Sequence, residues 1–439
     1  MQYFRTYSIN LALFILNKLY SSGWTALARR LLFLLRFAAR RHVDELGKLL
    51  HVLTTKGARP EEVERLCNKM LALDPDQAYA LSILGSLRLW DGNMQSALRY
   101  YQRLDAINYP ERTVSTRLLV SDLMNAELAS RGIPYVHTLR NVIVETAFWI
   151  VIQGERAFNQ EVHDRTIANF PRVGGRIAAD SRRFIMTLEE PLVRIEEPCI
   201  LMGGDDNYSH WLTRNLIKLC LLEESRGWAS LPLLINEDLR GYQQQYLEML
   251  GIAPERLLKV PRNILIACRE LDVPTLLRNH PQMRRGIEWL RAKVGPWMNR
   301  PSPAGARIYV SRRDTLNRRL VNEEELFSEL RKRGFSRIVP GEMSVPEQVT
   351  AFANASVIVG PHGAGLTNMI FSPPAASVVE ICSELIAHMN DFRFIADQMK
   401  QHCITIISGR LVSTENRDMH NDFEVDIGDV LNAVSPLVR

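Results

Sequence analysis

Short apolar runs alternate with amphipathic stretches along the last two thirds of the chain, and each apolar run has the length of a buried strand. In the first half of this region the strand candidates are residues 142–152, 199–202, 231–235 and 264–267. The helix candidates between them are residues 208–223, 237–250 and 281–294. Alternation of this kind is typical of a parallel sheet covered by helices. We therefore predict an α/β lobe over residues 135–295.

A second alternation follows a proline-rich stretch at residues 296–303, which we interpret as a hinge. Its strand candidates are residues 307–311, 337–339, 357–359 and 377–381, and its helix candidates are residues 322–333, 344–354 and 366–371. Ser344 and Glu347 have the spacing of a capping box, and Gly334 stands where the preceding helix should end. The pattern predicts a second α/β lobe over residues 296–439, with an apolar C-terminal tail that packs back on the first lobe.

A glycine-rich loop joins two strands of the second lobe. It reads Gly360-Pro361-His362-Gly363-Ala364-Gly365-Leu366-Thr367-Asn368. Glycines let the backbone approach a ligand closely, and the N-terminus of a helix offers N–H groups and a positive dipole end. Phosphate is the usual ligand of such a loop, although the same residues also fit a tight turn in an ordinary α/β unit.

The region before the lobes, residues 43–134, has a helical pattern with two similar frames that start at Asp44 and Ala78. Their separation is close to the roughly 34 residues of a tetratricopeptide repeat. The residues predicted to face inward in the second frame are Leu81, Leu84, Gly85, Ala97, Tyr101 and Leu104. This region resembles the tetratricopeptide family, and residues 112–129 are expected to add a capping helix. It serves either as a partner-binding surface or as a helical spacer.

Residues 1–42 combine leucines and Trp24 with basic side chains. Their apolar runs, residues 11–16 and 31–37, are interrupted by polar residues and fall short of the roughly 20 residues that span a bilayer. No small-residue cleavage site follows a clean apolar stretch, so a signal peptide is not expected. The pattern favours two alternatives equally: a basic helix at the membrane interface, or a helix packed on the next domain.

Composition narrows the remaining possibilities. A chain of 439 residues is too long for one compact core, so two or three domains are expected. The net charge is +5, with much of the excess before Asp44, and no basic repeat with interleaved aromatics indicates nucleic acid. The six cysteines are far apart, which is typical of reduced core thiols in a cytosolic protein. The ten histidines form no H-x-x-x-H pair, and no metal site is predicted.

Three segments taken together carry a family resemblance. They are Asn207-Tyr208-Ser209-His210-Trp211-Leu212, Tyr309-Val310-Ser311-Arg312-Arg313 and the glycine-rich loop. Over about residues 135–435 the chain resembles the family 61 glycosyltransferases, which include bacterial enzymes assigned to capsular polysaccharide synthesis. The resemblance implies an α/β fold of the GT-B type, a pair of Rossmann-like lobes. The first lobe would bind the acceptor and the second the donor.

The resemblance also implies an inverting transfer from a nucleotide-sugar donor, with UDP as the expected carrier and with neither cofactor nor metal. By position, the donor would be bound by Arg312, Arg318, Gly360, His362, Gly363, Ala364, Gly365, Thr367, Asn368 and Glu380. Within this set, Arg312 would neutralise the diphosphate, helped by Arg318 or Arg319, and Glu380 would bind the ribose hydroxyls. Asn207 and His210 would face the cleft. Arg214 departs from the family, because many members carry an acidic residue at that position.

Sugar transfer requires a base that takes the proton of the acceptor hydroxyl. The candidates are His210, Asp205 and Asp206, of which we assign His210 and Asp206 as catalytic and place Arg214 on the acceptor side of the cleft. His210 could instead only hydrogen-bond the substrate, and His362 is a further candidate base. The expected function is transfer to a cell-surface polysaccharide or lipid-linked glycan, in the cytoplasm and at the inner face of the membrane.

Two other functions account for parts of the sequence. A catalytically silent scaffold, which binds a donor without turnover and recruits proteins through its helical repeats, is the alternative that Arg214 favours. A nucleotide-dependent dehydrogenase is disfavoured because the loop lacks the G-x-G-x-x-G spacing.

Overall fold

The computed structural model describes much of the chain. The described residues are 46, 60–90, 93, 96–97, 99–100, 103–104, 107, 117–124, 136–154, 156–159, 176–177, 183–188, 191–223, 228, 230–278, 280–300, 305–412 and 419–438. They fall into two compact units. The first, here called the helical unit, is drawn from Met1–Leu123, Glu155–Ala157 and Asp164–Glu190. The second, here called the two-sheet unit, is drawn from Met124–Gly154, Phe158–His163 and Pro191–Arg439.

The elements have the following bounds. The strands are β1 (Arg117–Met124), β2 (Val136–Glu145), β3 (Ile150–Gln153), β4 (Arg156–Asn159), β5 (Arg176–Ile177), β6 (Arg183–Leu188), β7 (Val193–Ile195), β8 (Cys199–Gly203), β9 (Leu233–Asn236), β10 (Leu257–Val260), β11 (Leu265–Pro274), β12 (Ala306–Val310), β13 (Phe335–Ile338), β14 (Ala355–Pro361), β15 (Ser377–Ser383), β16 (His402–Ser408), β17 (Arg410–Leu411) and β18 (Phe423–Glu424). The α-helices are α1 (Pro60–Leu73), α2 (Ala78–Trp90), α3 (Tyr208–His210), α4 (Gly241–Met249), α5 (Met283–Lys293), α6 (Gly295–Met298), α7 (Glu323–Arg331), α8 (Val345–Ala353), α9 (Asp391–Met399) and α10 (Ile427–Val434). Segments of 3₁₀-helix lie at Ile217–Leu221, Pro254–Arg256, Pro340–Glu342, Ala364–Phe371 and Ser435–Leu437, and a π-helical turn lies at Trp211–Leu216.

In the helical unit, α1 and α2 pack on each other and are joined by an ion pair between Arg88 and Glu64. Leu81, Ala97 and Leu104 form a small buried cluster, so these predicted inward positions are confirmed. Tyr101 lies outside the described residues, as do residues 1–42, and the tetratricopeptide assignment stays a prediction. Among the helices that the structure describes, none is both long and apolar enough to cross a membrane.

The expected capping helix at residues 112–129 is wrong where the structure describes it. Residues 117–124 form strand β1, which pairs antiparallel with β6 from Arg117 opposite Leu188 onwards. Local helix propensity is a weak preference, and a strand partner supplied from about 65 positions further along the chain overrides it. Such a partner is not visible in a local pattern.

The first sheet of the two-sheet unit has the strand order β10-β9-β8-β11-β2-β3, and β7 also pairs with β11. Strands β8 to β11 are parallel, as predicted, but β2 and β3 form an antiparallel hairpin beside them. The hairpin turn is held by Glu145, whose carboxylate accepts hydrogen bonds from the backbone N–H groups of Ala147 and Phe148. The sheet is therefore mixed, whereas the alternation of elements had predicted a parallel one.

The second sheet, β13-β12-β14-β15-β16, is parallel throughout, and the predicted elements of this region are confirmed. Ser344 and Glu347 form the capping box of α8, and Gly334 follows α7 with a φ of 80°. The strand order reverses between β12 and β14. In open α/β sheets, ligands bind at such a reversal, outside the carboxyl ends of the strands.

The C-terminal helix α10 does not pack on the first sheet, contrary to expectation. Its buried Val430 and Val434 join Tyr309 and Val357 in a hydrophobic cluster on one face of the second sheet. Arg307 also donates a hydrogen bond of 2.8 Å to the carbonyl of Val438. An apolar stripe shows that a helix is buried, but only the tertiary structure shows which sheet covers it.

A single hydrophobic cluster connects the two sheets of this unit. It includes Ile200 and Ile235 from the first sheet, Ile308 and Ile358 from the second, and the helices between them. The segment after β8 contacts the segment after β14. The contact is a 2.7 Å hydrogen bond that the Tyr208 hydroxyl donates to Asn368 Oδ1. The two chemically suggestive stretches of the sequence are thus neighbours.

Candidate active site

Strand β8 is buried along its length, ends at Gly203 and is followed by Gly204. There is little room for a side chain at this point. A Cβ at Gly204 would overlap with the side chain of Asn236, and the Gly204 carbonyl accepts a 3.1 Å hydrogen bond from Trp149 Nε1. The chain then turns at Asp205 and enters a helical segment. The glycines therefore bring the acidic residues tightly against the carboxyl edge of the first sheet.

Asn207 begins the helical segment. Its side chain accepts a hydrogen bond from the backbone N–H of His210 at 3.1 Å, which is the role of an N-cap residue. After one α-helical turn the backbone continues as a π-helical turn, Trp211–Leu216, a form that occurs frequently at functional sites. The predicted cleft residue Asn207 thus orients the backbone that carries His210.

His210 and Asp205 form a hydrogen-bonded pair, with 2.8 Å between His210 Nδ1 and Asp205 Oδ2. The His210 side chain is 29% exposed and the Asp205 side chain 18% exposed. Since an ionised carboxylate only accepts, Nδ1 carries the proton and Nε2 keeps its lone pair. The pair presents Nε2 of His210 as a base.

Burial and the nearby charges together determine the protonation state of the His210–Asp205 pair. Burial lowers the pKa of His210 below its ordinary value of 6.5, and the charges of Arg214 and Arg278 lower it further against the opposing effect of Asp205. For Asp205, burial raises the pKa, but the hydrogen bond with His210 and the charge of Arg214 outweigh it, so the pKa is lowered overall. At neutral pH the pair therefore consists of a neutral imidazole and a carboxylate.

Arg214 contacts Asp205 as well, with 3.5 Å between its Nη1 and Asp205 Oδ2. Many members of the resembled family are expected to have an acidic residue at this position. Here the carboxylate next to His210 comes from the preceding loop, and Arg214 is a counter-charge at the same carboxylate oxygen, Oδ2, that His210 contacts.

Asp206, which the sequence predicts to be catalytic beside His210, forms ion pairs with two arginines instead. Its carboxylate binds Arg240 Nη2 at 3.0 Å and Arg262 Nη2 at 2.6 Å. Both carboxylate oxygens of Asp206 are thus engaged with guanidinium groups and not with His210. Of the neighbouring pair Asp205 and Asp206, the structure places Asp205 against His210, because adjacent side chains on an extended loop point in different directions.

The glycine-rich loop begins where β14 leaves the second sheet, at the reversal of strand order. A Cβ at Gly360 would lie 2.8 Å from the Val310 carbonyl oxygen, and one at Gly365 would lie 3.0 Å from Pro340 Cγ. Gly363 leads into the 3₁₀-helix Ala364–Phe371, whose first N–H groups have no partner within the helix. These glycines let the loop pack closely on β12 and leave donor groups at its tip.

Arg312 follows β12 and covers the tip of the loop. Its guanidinium occupies the space that a side chain at Gly363 would need, and its Nη2 donates to the Asn317 carbonyl at 3.1 Å. Its Nε is buried without a hydrogen-bond partner among the described residues. Burial and the nearby charge of Arg318 lower the pKa of Arg312 to about 10, so it stays protonated at neutral pH. The positive charge of Arg312 thus lies at the tip of the glycine-rich loop, and the charge of Arg318 acts on it.

Several residues that were predicted to bind donor have other partners. His362 Nδ1 lies 2.5 Å from Glu380 Oε1, and Glu380 Oε2 accepts a 3.1 Å hydrogen bond from Thr405. The His362 ring packs edge-on against Phe392, with 4.9 Å between centroids. His362 and Glu380 are 7% and 3% exposed. These side chains fasten the loop to the neighbouring strands.

Thr367 and Asn368 are fully buried, on the inner side of the loop helix. Both ends of the Asn368 amide are used, since Oδ1 accepts from Tyr208 and Nδ2 donates to Gln348 Oε1 at 2.8 Å. The predicted donor set therefore separates into an outer part and an inner part. Arg312, Arg318, Ala364 and Gly365 are partly exposed and form the outer part, and the buried residues hold the loop in place.

Arg278 was not identified from the sequence. It follows β11 and its Nη2 donates to Asp391 Oδ2 at 2.9 Å, which joins the first sheet to helix α9 of the second. Its charge also lowers the pKa of His210, so it lies near the candidate base. The sequence prediction ended this strand at residue 267, whereas β11 continues to Pro274 with alternating buried and exposed residues. A longer strand would have placed Arg278 just beyond a strand end, where site residues are expected.

Among the described residues, no group of three or more His, Cys, Asp or Glu side chains comes together as metal ligands would.

Comparison with known proteins finds a similarity to one family that covers the candidate site. Residues 208–379 match the family model described as Glycosyltransferase 61. A β-1,2-xylosyltransferase of Arabidopsis thaliana is 38% identical over 78 residues, which cover 15% of this chain and 15% of that protein. A β-1,2-xylosyltransferase of Oryza sativa subsp. japonica is 34% identical over 77 residues, covering 15% of this chain and 14% of that protein.

These alignments span only about one seventh of each plant relative. The family match is broader, and it contains His210, Arg312 and most of the second sheet. It ends at Val379, within β15. The candidate base and the glycine-rich loop thus both lie within the 208–379 segment that is similar to the glycosyltransferase family 61 model.

Proposed function

We propose that this protein is an inverting glycosyltransferase of the GT-B type that transfers a sugar from a nucleotide-sugar donor to a glycan acceptor. The observation that carries the proposal is the His210–Asp205 pair next to the glycine-rich loop. Tyr208, two residues before His210, donates a hydrogen bond to Asn368 of that loop. A base and a phosphate-binding loop are the two groups that sugar transfer needs. Both are built into one folded unit.

The donor diphosphate would lie on the outer part of the loop. Arg312 neutralises its charge with a guanidinium that is already held in place, and the backbone N–H groups after Gly363 donate to its oxygens. We assign Glu380 to holding His362, because both carboxylate oxygens already have partners. Arg318, whose charge acts on Arg312, adds to the positive potential.

The reaction then proceeds by direct displacement. His210 Nε2 takes the proton of the acceptor hydroxyl, and the acceptor oxygen forms a bond to the anomeric carbon. The bond from that carbon to the phosphate oxygen breaks, and the nucleoside diphosphate leaves with the electron pair. Arg312 stabilises the charge that develops on the leaving group, and Asp205 stabilises the imidazolium that forms.

The pH dependence of the rate reports on this base. Because His210 must be neutral and its pKa lies below 6.5, kcat/KM should be level near neutral pH and fall only below about pH 6.5. In Arg214→Gln a positive charge that lowers the pKa of His210 is removed, so the acid limb should move to higher pH. Initial rates from pH 5 to pH 8 measure the shift.

A matched control for this prediction is Arg284→Gln. It removes the same charge from helix α5, where Arg284 pairs with Glu288 and does not act on His210. Its acid limb should coincide with that of the wild type. An acid limb that is equal in Arg214→Gln and the wild type would show that His210 is not the group that titrates.

The function itself is tested with a panel of nucleotide sugars. Calorimetry with UDP, GDP and CMP identifies the carrier, and transfer or donor hydrolysis is then followed with the matching sugars. UDP-xylose belongs in the panel because the plant relatives are named for xylosyl transfer. Absence of binding to every nucleotide would overturn the proposal. Binding without turnover would instead select the silent scaffold, which Arg214 alone favours and the His210–Asp205 pair opposes.

The acceptor we propose is a cell-surface polysaccharide or a lipid-linked glycan, as in capsule synthesis, and the site of action is the cytoplasmic face of the membrane. The basic, leucine-rich residues 1–42 support this placement, and the helical unit would offer a surface for a protein partner. Fractionation of cells that express the chain without residues 1–42 tests it. The protein should move to the soluble fraction, and an unchanged distribution would contradict the membrane contact.

A further inference from the structure

A chain of buried and partly buried hydrogen bonds runs from the first sheet's helix α4 to the second sheet's loop. The Tyr246 and Tyr208 hydroxyls are 2.9 Å apart, and Tyr208 donates to Asn368 Oδ1 at 2.7 Å. Asn368 Nδ2 donates to Gln348 Oε1 at 2.8 Å, and Gln348 Nε2 donates to the Pro340 carbonyl at 2.8 Å. Tyr246 and Asn368 are fully buried and Gln348 is 5% exposed.

The direction of every bond in this chain is determined. The carbonyls of Pro340 and Met343 only accept, so Gln348 turns its Nε2 toward them and its Oε1 toward Asn368. Asn368 must then offer Nδ2 to Gln348 and Oδ1 to Tyr208. The single Tyr208 proton is used on that oxygen, so Tyr246 is the donor to Tyr208. A chain whose members all point one way has one low-energy arrangement and is cooperative.

The two ends of the chain are the two halves of the proposed site. Tyr208 opens the helical segment that carries His210, and helix α4 also holds the loop before it. Tyr242 donates to the Asp206 carbonyl at 2.7 Å, and Gln243 donates to the Asp205 carbonyl at 2.9 Å. At the other end, Asn368 belongs to the loop helix that follows Gly363, and Pro340 packs against Gly365.

We propose that Tyr208 is a positioning residue, which ties the helical turn of the base His210 to the donor loop through Asn368. This inference rests on the proposed function. Within the chain, the Tyr208–Asn368 bond is the step that crosses from one sheet to the other. When donor binds to the loop, the Tyr208–Asn368 bond orders the helical segment of His210. The imidazole of His210 is then correctly positioned relative to the anomeric carbon only while donor holds the loop in place.

The alternative is that the hydroxyl cluster only stabilises the core, and the chain itself offers the control. Tyr208→Phe removes the hydrogen bond to Asn368, which is one of the bonds between the two sheets. Tyr246→Phe removes a buried hydroxyl from the same cluster but leaves the Tyr208–Asn368 bond intact. If the cluster were merely structural, the two variants would behave alike. The mid-point of thermal unfolding of each variant shows that it is folded at the assay temperature.

The first measurement is steady-state kinetics with the donor that the panel identifies. Tyr208→Phe should lower kcat by about 10- to 100-fold with little change in the donor KM, since a small misplacement of a catalytic group has an effect of this size. Tyr246→Phe should keep most of the wild-type kcat. Equal losses in both variants, or a loss confined to KM, would overturn the positioning role.

The second measurement does not need turnover. Hydrogen exchange followed by mass spectrometry is compared with and without UDP, over residues 360–371 and 208–221. In the wild type and Tyr246→Phe, UDP should slow exchange in both segments, whereas in Tyr208→Phe it should slow exchange in the loop alone. UDP protection of the loop without protection of 208–221 in the wild type overturns the coupling only. No protection of the loop by UDP, GDP or CMP overturns the proposed function, and the coupling with it.

Discussion

Replacing His210 by glutamine should lower kcat by about 100- to 10,000-fold, the range expected for loss of a general base. Glutamine keeps a hydrogen-bonding group of similar reach but cannot take a proton at neutral pH. His210 is partly exposed and contacts Asp205 rather than the core, so the fold should be unaffected. The dissociation constant for UDP should stay close to that of the wild type, since the donor loop lies on the other sheet. Transfer assays combined with calorimetry measure both quantities.

Two further variants make this result specific. His402→Gln changes an exposed histidine at the start of the edge strand β16, which is separated from β14 by β15, and should leave kcat unchanged. Asp205→Asn keeps the size of its side chain but removes the charge that favours the Nδ1 proton on His210, so it should also lower kcat. A His210→Gln protein with near-normal kcat would exclude His210 as the base and return His362 to consideration.

The second large effect is expected at Gly363. Alanine there places a Cβ where the Arg312 guanidinium lies, and the end of a flexible side chain can move aside. The variant should therefore fold normally but lose the position of Arg312, and UDP should bind about 10- to 100-fold more weakly. That range corresponds to the roughly 1.5–3 kcal/mol of a hydrogen bond to a charged group. Calorimetry with UDP measures the loss.

The glycines of this chain supply their own controls. Gly295→Ala enters open space and should change neither stability nor UDP binding. Gly360→Ala meets the Val310 carbonyl oxygen at 2.8 Å, a backbone atom that cannot move aside, so it should lower the free energy of unfolding. Arg312→Ala should weaken UDP binding as Gly363→Ala does. Normal UDP binding by both Gly363→Ala and Arg312→Ala would contradict the diphosphate site at this loop.

The strands and loops of the second lobe could be predicted because the residues that determine them are close together in the sequence. The run before Gly360 is apolar and β-branched, the loop is made of small residues, and two prolines follow Phe371. Each of these constraints acts within a few residues of its position in the chain. The capping box of Ser344 and the end of α7 at Gly334 are local in the same sense.

The first sheet was harder to predict for a related reason. Strand β11 carries Arg269, Glu270 and Asp272 because one of its faces is not fully buried, so only its apolar beginning was recognised. Its antiparallel pairing with β2 joins residues more than a hundred positions apart, such as Leu265 and Glu145. Arg278, which follows this strand, was missed as a consequence.

The sequence by itself determined which residue types stand at the strand ends: a histidine and two acids after β8, an arginine after β12 and glycines after β14. Only the tertiary structure decided how they are used. It paired His210 with Asp205 and bound Asp206 to arginines. It also turned Asn368 inward to Tyr208, 160 positions away. The physical reason is that a side chain's role depends on what lies within hydrogen-bonding distance, and in a folded chain most of those neighbours are remote in sequence.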